Sequence, residues 1–275
     1  MRTLSIYLAF VKQQFQALME YRMDFLLGLL GLLVQQFATF LLMFAVFTQV
    51  KAVGTWTFEE MLLLFGWAQL VRGIDHIYND NIWFIAWYSI REGKFYQYLI
   101  RPWNPLSLIV MERISIDGFG ELIGSLIIFF YAKHRLGLAL GFEGALMMLW
   151  FFACGLAIYF AVKLAFAAIA FWTTTSGEIM SFGYEANNFA RYPLDLYKNR
   201  AVQFFITFVL PFAVVSFFPM LYFLRTEPQL IRYFGFAAFH KWWIPVFTGV
   251  VAAAFLGISL LIWRTGIRNF QATGT

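Results

Sequence analysis

Residues 25–47 carry no charged side chain. At 1.5 Å of helical rise per residue, such a run exceeds a hydrocarbon layer of about 30 Å, and a helix satisfies its own backbone hydrogen bonds there. The rest of the chain follows suit. Of 275 residues, 61% are hydrophobic and 13% charged, against about 45–50% and about 25% in soluble domains. That is more apolar surface than one aqueous core can hide. Further apolar segments fall at 58–80, 114–132, 144–173, 204–224 and 243–263. The sequence therefore predicts an all-α integral membrane protein of six transmembrane helices, one domain over residues 1–275. Thirty-five Phe, 13 Tyr and 10 Trp, with only 7 Pro and one Cys, exclude disorder, collagen and a disulfide scaffold.

Ahead of the first span, Leu4, Leu8, Val11, Phe15 and Leu18 recur every three or four positions, with Gln13, Gln16 and Glu20 on the opposite face. This predicts an amphipathic interfacial helix over residues 1–22. A secretory signal needs an uninterrupted short apolar core, which Lys12, Gln13, Gln14 and Gln16 break, so the segment is expected to be retained.

Six crossings return the chain to its starting side. With the N-terminus inside, twelve Lys and Arg fall in inner segments, among them Arg91, Lys94, Arg101, Arg113, Arg191, Lys198 and Arg200. Six fall outside: Lys51, Lys133, Arg135, Arg225, Arg232 and Lys241. The asymmetry predicts cytoplasmic termini. The inner segments 82–113 and 174–203 are long enough to carry short helices that meet a cytoplasmic partner. The outer segment 225–242 is apolar enough to be a re-entrant dip.

No phosphate-binding G-x-x-x-x-G-K-[ST] loop is present, and no G-x-S-x-G nucleophile motif. His76, His134 and His240 lack metal-ligand spacing, so no metal is expected. Cys154 in its apolar run reads as a small buried hydrophobe. The net charge of +5 is scattered between apolar runs instead of forming a patch, which argues against nucleic acid.

Charges inside spans are costly and face protein or water. Arg72, Asp75 and His76 share one face of the second span, and Asp117 and Glu121 one face of the third. Arg72 lies about 21 Å along its helix, at the expected depth of Glu121, so the sequence predicts an Arg72 pair with Glu121 or Asp117, joined by Lys163. Two readings stand side by side: mutual neutralisation that fixes helix packing, or a polar lining for a substrate route. Gly120 and Gly124 have small-xxx-small spacing for close helix approach.

The first long inner segment reads Ile90-Arg-Glu-Gly-Lys-Phe-Tyr-Gln-Tyr-Leu-Ile-Arg-Pro-Trp-Asn-Pro-Leu106. It resembles the stretch I-R-x-G-x-[FL]-D-x-x-L-x-R-P-x-x-P-L of permease subunits of ABC-2-type ABC transporters, in the group associated with drug or viologen export. Tyr96 stands where that pattern has an acidic residue. Glu185-Ala-Asn-Asn-Phe-Ala-Arg-Tyr-Pro-Leu-Asp-Leu-Tyr197, with Pro211 and Pro219 beyond it, is similar to the family's "YP" loop and proline-containing fifth span. Gly266-Ile-Arg-Asn-Phe-Gln-Ala-Thr-Gly274 resembles its closing segment.

The resemblance implies a type V exporter-like fold in the bacterial cytoplasmic membrane and a route for an amphiphilic, drug-like or lipid-linked substrate. The partners implied are a second permease, identical or homologous, membrane lipid, and two cytoplasmic ATPase subunits that bind the ATP and Mg; this chain holds no cofactor of its own. It implies that Arg91, Glu92, Lys94 and Arg101 meet the ATPase surface. Phe95, Tyr98 and Leu99 would fill its groove, and Arg101-Pro102 and Asn104-Pro105 would end the coupling helix. The alternatives are an ion-coupled secondary transporter using Asp75, Glu121 and Lys163, whose paired interrupted spans are not visible in the sequence, and a membrane anchor that recruits a cytoplasmic complex through 82–113.

Overall fold

A computed structural model describes residues 12, 13, 16, 20, 22–115, 118–235 and 240–270. The expected interfacial helix over 1–22 and the carboxylate Asp117 thus lie outside the described residues, apart from isolated positions of the former. Regular structure among the described residues is helical, with one isolated bridge between Val53 and Trp56. The main helices are α1 (Arg22–Gln49), α2 (Phe58–Asn79), α3 (Pro105–Glu112), α4 (Gly118–Arg135), α5 (Phe142–Thr173), α6 (Gly177–Ala186), α7 (Arg200–Val209), α8 (Phe212–Leu224), α9 (Glu227–Phe234) and α10 (Trp243–Asn269). By length and composition α1, α5 and α10 can each cross a membrane alone; α7 and α8 qualify only as a joined pair.

The helix start of α2 follows from its sequence. Thr57 caps it and Glu60 reaches back to the Thr57 amide, a reciprocal capping box. α2 then packs closely on α4: a Cβ added at Gly66 would stand 2.8 Å from the Phe129 amide nitrogen. On the other face of α4, a Cβ at Gly120 would stand 2.8 Å from the Leu29 carbonyl of α1. The small-residue spacing is therefore used for backbone approach. The other intimate pair is α5 with α10, where Trp150 Nε1 donates to the Pro245 carbonyl at 3.0 Å.

The path of residues 174–224 departs from expectation. Ser176 N donates to Ala86 O at the end of the bundle that holds residues 82–113. Tyr159, midway along α5, donates to Asn187 Oδ1 at 2.6 Å. Ser216 then donates to Ala190 O, and Trp56 Nε1 donates to both Asp195 oxygens at 3.0 Å at the opposite end. Residues 177–196 thus run the length of the bundle, as α6 followed by two short 3-10 turns, instead of forming a loop at one end.

From there α7 turns back inward and α8 leads out again, the two bent by 99°. Phe212 packs against mid-bundle Tyr159 with ring centroids 5.7 Å apart, while Arg225 pairs with Glu60 at the Trp56 end. The segment expected as a fifth span, 204–224, is broken at Leu210–Pro211 into two helices instead of one continuous helix. The stretch 225–242, expected as a dip, begins with α9, whose Leu230 is buried. The cause of the break is Pro211. It lacks an amide proton and drives Leu210 out of the helical region, to φ −119° and ψ 90°.

One consequence concerns charge. Arg191 lies half-buried within the bundle, and Lys198 and Arg200 lie at the Trp56 end. The twelve-to-six excess of Lys and Arg then falls to nine against eight, too even to orient the chain. In a Cys154→Ala background, a cysteine at Lys198 is expected to react with an impermeant maleimide from the same side as one at Lys51 and from the side opposite Lys94. Labelling of positions 198 and 94 from one side would refute this path.

Candidate functional site

The helical spacing of α2 places Arg72, Asp75, His76 and Asn79 on the face turned to α4 and α5. Glu121, in the first turn of α4, is 2% exposed and meets two of them: Arg72 Nη2 at 3.5 Å and His76 Nδ1 at 3.5 Å. Both contacts are long for hydrogen bonds. The tight contacts are made from α5: Lys163 Nζ stands 2.6 Å from Asp75 Oδ2 and 3.0 Å from Asp80 Oδ1. Asn79 donates to the other Asp75 oxygen at 2.8 Å, and His76 Nε2 approaches Asp80 at 3.5 Å.

The structure therefore brings together Arg72, Asp75, His76, Glu121 and Lys163. Arg72 pairs with Glu121 as the sequence predicts, and Lys163 joins through α2. Four residues were not foreseen. Asp80 closes the cluster one turn beyond His76, a spacing visible in the sequence. Tyr184 lies under the Arg72 guanidinium at 4.7 Å and under Lys163 at 6.0 Å, and Tyr159 and Asn187 complete the wall. Those on residues 177–196 were hidden because that stretch reads as a loop.

A cavity of about 30 Å³ lies between these side chains, room for a water molecule or two. Chemically the cluster balances: Asp75, Asp80 and Glu121 face Arg72, Lys163 and, nearby, Arg191. It ties α2, α4, α5 and α6 into one unit, tightly at Lys163 and loosely at Glu121.

The second candidate region, 82–113, lies at the end opposite Trp56. Its backbone reverses at Gly93 (φ 67°), forms one helical turn at Tyr96–Leu99, and restarts at α3, where Asn104 accepts from the amides of Leu106 and Ser107. Pro105 thus opens a helix instead of ending one. Arg91, Glu92, Lys94, Leu99, Arg101 and Pro102 are exposed. Lys94 bonds Glu92 at 2.6 Å and holds that carboxyl below its usual range.

Phe95 and Tyr98 correct the expectation. Phe95 is fully buried, with ring centroids 4.9 Å from Phe171 of α5, 5.2 Å from Phe270 and 5.9 Å from Trp263 of α10. The Tyr98 hydroxyl donates to Glu112 at 2.6 Å, and burial with that bond raises its pKa well above normal. Neither can fill a partner's groove. In a single helical turn, the residues beside a buried anchor point outward, and here they are Tyr96 (56% exposed) and Ile100 (74%).

The family model described as ABC-2 family transporter protein matches residues 33–274. No curated protein and no solved structure matches the chain.

Lys163→Met strands Asp75 and Asp80 without their cation, a change that costs about 3–5 kcal/mol for a buried pair. The expected outcome is a sharp loss of monodisperse protein and a lowered melting temperature in detergent, partly recovered by adding Asp75→Asn. Arg72→Gln, which breaks a 3.5 Å contact, is expected to cost less. Equal melting of Lys163→Met and the parent protein would show that the cluster does not hold the helices together.

Proposed function

The chain belongs to the ABC-2 transporter family, and from that membership we propose that it is the membrane-spanning subunit of an ATP-driven exporter for an amphiphilic, drug-like or lipid-linked substrate. Two separate ATPase subunits hold the ATP and its Mg, and a second permease completes the route. The end carrying residues 82–113 faces the cytoplasm of a bacterial cell, and both termini lie there.

The observation that carries this reading is the exposed turn Tyr96–Leu99 and its anchor. Tyr96, Leu99 and Ile100 form an apolar knob flanked by Arg91, Lys94 and Arg101, a composition suited to a groove with an acidic rim. Directly behind the knob, Phe95 is wedged between α5 and α10. Side chains packed at core density transmit displacement instead of absorbing it. Closure of the ATPases would thus push on the knob and tilt α5 and α10 as rigid bodies.

The charge cluster is the hinge region of that movement. Lys163 moves with α5 and carries α2 through Asp75, and α4 moves with α2, to which its backbone is closely packed. The substrate route runs between the two permeases along α1, α2 and the hairpin α7–α8, with the following segment at its outer mouth.

The test is a mild-detergent pull-down of the tagged chain with an ATPase assay on what co-purifies. A stoichiometric soluble ATPase is expected. Leu99→Asp with Ile100→Asp should reduce its recovery at least about tenfold, the scale of a lost interface hot spot, whereas Phe95→Ala should retain binding but uncouple turnover from transport. A chain that purifies alone and active would favour ion-coupled transport through Asp75, Glu121 and Lys163.

A further inference from the structure

The bend at Leu210–Pro211 leaves an open cleft between α7 and the first turns of α10. Phe204 and Phe208 form one wall, Phe247 and Val250 the other, and Phe218 of α8 the floor. Its volume is about 850 Å³, within the roughly 300–1,000 Å³ of small-molecule sites. The donors of its mid-cleft polar side chains are already engaged: Thr207 donates to Gln203 O at 2.7 Å, and the Gln203 amide donates to Tyr197 O at 2.7 Å. An occupant that brings further hydrogen-bonding groups into this interior would bury them unpaired. The interior therefore suits hydrocarbon.

One end differs. Arg200 lines the cleft beside Trp243, and Lys198 is two residues away. Both are exposed, and neither takes part in an ion pair among the described residues. Trp242 and Trp243 are more than half exposed at the same end, as tryptophans are where headgroups meet hydrocarbon. From Trp243 to Val250 the cleft runs about 10 Å along the helix, away from the cations. Its outline, two cations at headgroup level and a dry slot running inward, is that of an anionic amphiphile.

We propose that this cleft is a binding site for an anionic phospholipid of the surrounding membrane, with its phosphate at Arg200 and Lys198 and one acyl chain between α7 and α10. A zwitterionic lipid would bring its own cation against Arg200 and is disfavoured. The cleft lies on the hairpin α7–α8 that the transport reading places along the substrate route, but lipid retention needs neither ATPase nor turnover, so the two readings fail separately.

The full chain, with whatever subunits accompany it, is placed in bilayer discs of equimolar phosphatidylglycerol and phosphatidylcholine, extracted gently, and its retained lipid weighed by native mass spectrometry. Phosphatidylglycerol is expected to be retained several-fold over phosphatidylcholine. Arg200→Gln with Lys198→Gln should bring the ratio to one, Arg200→Lys should preserve it, and Val250→Trp, which fills the slot, should lower retention of the anionic lipid. Equal retention of the two lipids by the parent protein, or a preference that survives the double substitution, overturns the site. A preference lost with the cations but untouched by Val250→Trp overturns the placement of the acyl chain. ATPase co-purification, read on the same samples, reports separately on the transport reading.

Discussion

The bundle is organised around the ammonium of Lys163, which lies 2.6 Å from Asp75 and 3.0 Å from Asp80. In a chain whose surroundings are hydrocarbon, an unpaired charge at this depth is expensive, so the position of α5 against α2 follows from pairing as much as from packing. α4 then joins through glycine contacts that let backbones touch and through Glu121, which takes long contacts from Arg72 and His76. α2 is thus held to α5 chiefly by charge and to α4 chiefly by close backbone packing.

The same logic explains the irregular backbone. Non-helical residues at membrane depth survive only where protein covers them. Here Ser216 covers the carbonyl of Ala190 and Tyr159 meets Asn187, while within α8 the Val215 carbonyl, which Pro219 cannot satisfy, accepts from Trp67 Nε1. With those bonds in place, residues 177–196 can run through the bundle as a broken helix, and the hairpin α7–α8 can turn at Pro211 in its middle. The same break opens the apolar cleft between α7 and α10, so one proline shapes both the course of the chain and a surface on which lipid can settle.

Mechanically, the end bearing residues 82–113 is stiff where it meets the bundle and bare where it faces outward. Phe95 contributes nothing to the exposed surface, yet it connects that surface to the membrane helices α5 and α10. An ATPase acting on Tyr96, Leu99 and Ile100 would therefore act on α5 and α10 without an intervening flexible joint.

The helical class, the segments near 25–47, 144–173 and 243–263, and the family itself were legible in the amino acids, because uncharged length and local motifs are one-dimensional properties. The Arg72–Glu121 contact was legible as well, since helical rise converts residue number into depth. The membership of Tyr184 and Asn187, the inward turn of Phe95 and the path of 174–224 were not. Apolarity says that a segment is buried, but not whether it crosses or doubles back; that choice depends on which carbonyls and amides find partners. Residues far apart in the chain supply those partners, such as Ser216 for the Ala190 carbonyl, so only the tertiary structure decided it.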